Sequence, residues 1–225
     1  MPLLHLHREI KSLNKLVLQL GGQVEENLRQ GIQSIQTRNT RQALAVKDED
    51  QLVDSLEVQV EEECLKLLAL YQPVASDLRY IVAVLKINGD LERIGDLAAN
   101  LGRQSSKLAK KEQVAIPDQL NLMASIAREM LHQSLDSLVA RDINSCRRIL
   151  HRDKQVDTLY CEVYDWFRLR VKEEPNDAGL LLGMYLAAKD LERIADHTCN
   201  IAEDVIYLIS GEIVRHHHLN DEDEY

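Results

Sequence analysis

Repeated acidic pairs carry the chemistry this sequence can do. Asp50 and Asp54 stand four residues apart, as do Glu92 and Asp96, with Asn100 four further on; Asp153 with Asp157, then Glu192, Asp196 and Asn200, repeat the pattern. On a helix, residues four apart stack on one face. Each set is then a row of side-chain oxygens, extended by Asn88 and Gln104 around the first Glu–Asp pair and by Asp204 after the second. Carboxylates at this spacing repel by a few tenths of a kcal/mol on an exposed helix. A hard cation such as Mg²⁺, Ca²⁺ or Mn²⁺, or iron, relieves that repulsion, because carboxylate oxygens suit it. Small neighbours (Gly95, Ala99, Ala195 and Cys199) leave room in front of the rows. The plainer reading is a solvated face whose charge is offset by Arg93 and Arg193. A lone pair would support no more than that; the duplicated, Asn-extended version favours metal binding.

The rows must be held by long helices, and the sequence supplies them twice. DLERIGDLAANL at 90–101 returns as DLERIADHTCNI at 190–201, with seven identities in the first eleven positions. Such self-similarity at fixed offset marks an internal duplication. Apolar residues at three- and four-residue steps, as at Ile10, Leu13, Val17, Leu20, Val24 and Leu28, give the helical period. This periodicity predicts six helices, at 6–37, 42–70, 74–111, 119–141, 143–171 and 176–215. Leu52, Leu56, Val60, Cys64 and Leu67 or Leu68 are expected to form the buried stripe of the second. Gly21-Gly22 is a place where the first could kink, and Gly211 could end the last early. Breaks fall at Arg38-Asn39-Thr40, Pro73, Pro117 and Pro175, since proline cannot continue a helix. Helices of this length joined by short turns pack antiparallel. The expected fold is all-α: two tandem antiparallel three-helix bundles, residues 1–112 and 119–215, with a charged tail at 216–225. In each bundle the start of the second helix lies near the later half of the third. Asp50 and Asp54 then meet Glu92, Asp96 and Asn100 across a groove, and Asp153 and Asp157 meet Glu192, Asp196 and Asn200. Four carboxylates per bundle are enough for more than one metal ion.

Composition narrows the function classes. The chain has 225 residues and a formal net charge of −10. That balance argues against sequence-independent nucleic-acid binding, which needs basic surface, and against docking to an anionic membrane by bulk charge. Cys64, Cys146, Cys161 and Cys199 show no CxxC spacing and read as isolated reduced core thiols. Residues 1–8 carry His5 and His7 rather than an apolar leader, and the uncharged run at 178–188 is far short of the ~20 residues that span a bilayer. A cytoplasmic protein is expected. His216, His217 and His218 could bind metal, but a solvated tail is the simpler reading. There is no P-loop and no nucleophile elbow. Gly95 and Ala195 stand where a di-iron bundle would place the His of Glu-x-x-His, which disfavours oxygen-activating di-iron chemistry.

The two motifs DLERIGD and DLERIAD, with YQPVASDLRYI at 71–81 and NIAEDVIYLISGE at 200–212, resemble the PhoU family of phosphate-signalling regulators. The resemblance runs from about residue 5 to 211. It implies two three-helix bundles carrying multinuclear iron or zinc clusters on E/D-xxx-D motifs, which here are Asp50–Asp54, Glu92–Asp96, Asp153–Asp157 and Glu192–Asp196. It also implies a cytoplasmic, dimeric protein, peripheral to the membrane at most. That protein would link a phosphate ABC transporter to a sensor histidine kinase and restrain the phosphate-starvation response. Asn88 against Ala188, and Gln104 against Asp204, break strict symmetry, so the two sites are expected to differ. Two other readings remain: a metal-dependent phosphohydrolase, since carboxylate-held metals can activate water, and a structural bundle whose acidic faces meet basic partners. Turnover lost on Asp96→Asn would identify the first. Partner binding that survives EDTA would identify the second.

Overall fold

The computed structural model describes residues 2–108 and 114–214, and within 2–4 and 40–49 and at residue 107 the backbone only. Six long helices follow in order: α1 Pro2–Thr37, α2 Thr40–Tyr71, α3 Ala75–Leu108, α4 Asp118–Ala140, α5 Ile143–Glu173 and α6 Ala178–Ser210. A single 3₁₀ turn, Pro175–Asp177, leads into α6. Among the described residues there is no strand, and no helix is long and apolar enough to cross a membrane. Residues 109–113 and the three-histidine tail lie outside the described residues.

Within each half all three helix pairs are in contact, and the halves meet through α3 against α6 and α1 against α4. The pairing of α3 with α6 is antiparallel: Lys86 reaches Asp204, Asp90 reaches Asn200, and Gly183 stands near Gln104 and Leu108. The two helices that carry the duplicated motif therefore form the spine of the molecule. One continuous apolar core runs through both halves, with Leu91, Ile94, Leu191 and Ile194 at most 1 % exposed.

Helix ends follow local chemistry. The Asp142 carboxylate accepts from the amides of Asn144 and Ser145 at 2.9 and 3.2 Å and so caps α5. Gly211, at φ +80°, closes α6 with its amide donating to the Tyr207 carbonyl, which is why α6 stops before residue 215. Arg38 and Arg141 both adopt φ 54° at the ends of α1 and α4, so the duplication extends to the turns.

Two sequence expectations change. The buried stripe of α2 is Val53, Leu56, Val60, Cys64 and Leu67, while Leu52 is 46 % exposed. Val53 is the residue that seats against α3, where a Cβ on Gly95 would stand 3.0 Å from its Cγ1. Gly21-Gly22 does not break α1. A Cβ on Gly21 would come within 2.8 Å of Leu135, so Gly21 marks the close approach of α1 to α4. At Gly31 a Cβ would stand 2.8 Å from the Ala98 carbonyl oxygen, whereas Gly22 has nothing within 4 Å. Backbone cannot step aside as a side-chain tip can. Gly31→Ala should cost about 1–3 kcal/mol, and Gly22→Ala should add about 0.5–1 kcal/mol through helix propensity. Urea unfolding of the two variants checks the opposite signs.

Candidate metal centre

The acidic rows meet in pairs along two seams, one between α2 and α3 and one between α5 and α6. In the first seam burial raises the Asp50 carboxyl above its ordinary range, and the charges of Asp54 and Asp96 push it further. Glu92, on α3, is raised by burial and then by Asp96, with Arg93 opposing and Glu57 and Asp54 adding. Charges from both helices therefore act on one another, as the antiparallel register predicts. Asp50 Oδ1 is buried and has no hydrogen-bond partner among the described residues. A Cβ on Gly95 would stand 3.7 Å from that oxygen, so the small residue keeps the space beside it clear.

In the second seam Asp153 is pushed up to about 6, by burial first and then by Asp157 and Asp196. Glu192 and Asp196 are raised by burial, with Asp157 adding to both. The Cys199 thiol is close enough to hydrogen-bond Asp153, and burial with the charge of Asp153 pushes that thiol well up. Arg93 partly offsets the first seam, at 3.4 Å from Glu92 and 3.8 Å from Asp96. Arg193 lowers its neighbours by charge alone. The offset by arginine is thus weaker in the second seam.

Half-buried carboxylates forced together, one with an orphaned oxygen, are a donor set that suits a hard cation. Among the described residues, no three His, Cys, Asp or Glu side chains already converge as a metal-holding group. Asp54, Asp157 and Asp196 are exposed, so closing a ligand set would draw them inward.

The asparagines divide from the acids. Asn200 donates to Asp90 Oδ1 at 3.1 Å, and the same oxygen meets His197 Nδ1 at 2.8 Å, so its amide is engaged across the α3–α6 contact. Asn100 accepts from Arg103. Asp204, 1 % exposed, takes Lys86 at 3.3 Å, and Asn88 donates to the backbone carbonyl and the carboxylate of Glu57 at 3.1 Å each. Asp204 therefore serves the contact between halves, and Asn88 supports the acidic row. Two participants escaped the sequence reading. Glu57, itself raised by burial and by Glu61 and Asp54, continues the α2 row three residues after Asp54, a helical step that the four-residue template passed over. Its counterpart in the second half is Tyr160, whose hydroxyl lies 2.7 Å from that of Tyr185; with no carboxylate to support there, Ala188 can replace Asn88. Cys199, expected as a small neighbour and an isolated core thiol, is half-buried and adds a sulfur to the second seam alone. Cys64 and Cys146 are buried, but Cys161 is exposed and is not a core thiol.

The seam charges set a pH dependence. An unfolded Asp titrates near 3.8, while folded Asp153, faced by Asp157, Asp196, Glu192 and Cys199, titrates near 6. Folding therefore binds a proton in that interval, and the metal-free protein loses stability as pH rises from about 3.8 to about 6. In EDTA the melting temperature of wild type should fall relative to Asp153→Asn across that window. Parallel profiles would show that the seam exerts no such strain.

A family model described as "PhoU domain" matches residues 17–105 and again 120–205. The "Phosphate-specific transport system accessory protein PhoU homolog" of Aquifex aeolicus (strain VF5) is 33 % identical over 219 residues, covering 97 % of this chain and 99 % of that protein. The "Phosphate-specific transport system accessory protein PhoU" of Escherichia coli (strain K12) is 30 % identical over 208 residues, covering 92 % and 86 %. The crystal structure of PhoU from Pseudomonas aeruginosa superposes with a TM-score of 0.89 at 31 % identity, covering 92 % of this chain and 99 % of that one. The phosphate transport system regulatory protein PhoU from Streptococcus pneumoniae gives a TM-score of 0.86 at 26 % identity, covering 93 % and 99 %.

Proposed function

The chain belongs to the PhoU family, and from that premise we propose that it is a non-enzymatic accessory regulator of phosphate transport. In this reading it acts in the cytoplasm as a homodimer between a phosphate ABC transporter and a sensor histidine kinase. It holds the starvation response down while phosphate is plentiful. The observation that carries the reading is the near full-length match, 97 % of this chain, to a protein named as an accessory of the phosphate-specific transport system.

The acidic seams are its proposed metal sites, with iron or zinc, or Mn²⁺ or Mg²⁺, as the cation. Asp50, Asp54, Glu92 and Asp96 would hold one set, and Asp153, Asp157, Glu192 and Asp196 the other. Glu57 and Cys199 stand beside them. A bound cation would supply positive charge that turns mutual repulsion into a cross-link between helices of one bundle.

Deleting the gene in its host and following a phosphate-starvation reporter in phosphate-rich medium tests the regulatory reading. Derepression that wild type reverses is expected. Unchanged reporter output would contradict it.

A further inference from the structure

We propose that a cavity away from both seams, at the end of the molecule where α1 and α3 begin and α4 and α6 finish, binds a phosphate-type tetrahedral oxyanion. The cavity measures about 320 Å³, and its polar lining is His7, Ser76, Asp77, Arg79, Tyr80 and Arg141; the remainder is aliphatic. Two arginines against one aspartate leave the lining net positive, in a chain whose net charge is −10. Neither arginine has an ion-pair partner among the described residues. The Arg79 Nε is buried with no hydrogen-bond acceptor, and a buried donor left unsatisfied is costly. Gly211 makes room for its guanidinium, since a Cβ there would stand 2.9 Å from Nη1.

Arginine presents a planar fork that matches a phosphate edge with two parallel N–H donors. The second arginine comes from the other half of the duplication: Arg141 sits in the left-handed C-cap of α4, φ 54°. An anion there would be gripped by both halves at once. Ser76 and Tyr80 bring hydroxyls from the first turns of α3; that of Tyr80 already donates to Asn14 at 3.1 Å and can still accept. The first turn of α3 adds the positive end of its helix dipole. The rival account is that both arginines merely offset the negative ends of α4 and α6. That role needs charge but no ligand, and it leaves Nε without an acceptor.

The test is calorimetric titration of the full-length protein in EDTA, so that metal in the seams plays no part, at constant ionic strength. Inorganic phosphate is one titrant and glycerol phosphate the other. One equivalent of inorganic phosphate binding, with the ester excluded, identifies a free-phosphate site. Binding of the ester identifies a phosphomonoester site, and either result supports the proposal. Arg79→Gln should abolish binding, and Arg141→Asn, which keeps a residue tolerant of the left-handed conformation, should weaken it about tenfold or more. Arg168→Gln, an exposed arginine paired with Asp165 towards the far end of α5, should bind as wild type. Should Arg79→Gln not fold, Arg141→Asn decides alone. No heat from either titrant up to about 10 mM, or binding unchanged in Arg141→Asn, would overturn the proposal.

Discussion

Asp153→Asn is expected to make the metal-free protein more stable, not less, and to remove about half of the stabilisation that a bound cation provides. The two effects share one cause. Asp153 carries a charge that burial, Asp157 and Asp196 all oppose, so neutralising it relieves strain. After allowing for the solvent that reaches the site, the gain is about 1 kcal/mol. The same substitution removes an anionic oxygen that a hard cation needs. A cation at a hundred times its dissociation constant stabilises by about 2.7 kcal/mol, roughly 5–10 °C in melting temperature at this size. Adding Asp50→Asn should remove the rest of the increment. Calorimetric melting with EDTA, and then with Mn²⁺ or Zn²⁺, measures both signs in one sample series. An ordinary structural carboxylate would give the opposite first sign and no second effect.

Truncating Ile94 or Ile194 to alanine should be the most damaging pair of single changes in the core. Both are fully buried in the apolar cluster that runs through the two halves. Loss of the side chain and the cavity left behind cost about 2–5 kcal/mol, or roughly 4–20 °C. The two costs should be similar, because the residues hold equivalent places in the duplicated motif. Each variant should still unfold in one calorimetric transition, since the core is continuous. Two separated transitions would show that the bundles melt independently.

The helices were legible because apolar periodicity over thirty residues admits little else, and the duplication announced the two-bundle architecture. The facing of α2 on α3 was legible from antiparallel packing alone: the charge of Asp96 on α3 acts on Asp50 on α2. What could not be read was the contact between the halves. Nothing in a single helix says that Asp90, His197, Asn200, Lys86 and Asp204 serve α3 against α6, so Asn200 and Asp204 were grouped with the acids by spacing. Gly31 likewise has no local signature, because its smallness answers to the Ala98 carbonyl on another helix. Glu57 stands three residues after Asp54, a step that shares a helix face as a step of four does.

The most direct measurement is an anomalous-difference map from crystals of the full chain grown with Mn²⁺, iron or zinc, collected on both sides of the metal's absorption edge. The account predicts peaks at both seams, within coordination distance of Asp50, Asp54, Glu92 and Asp96 in one and Asp153, Asp157, Glu192 and Asp196 in the other. Empty seams, or metal only at His216, His217 and His218, would contradict it.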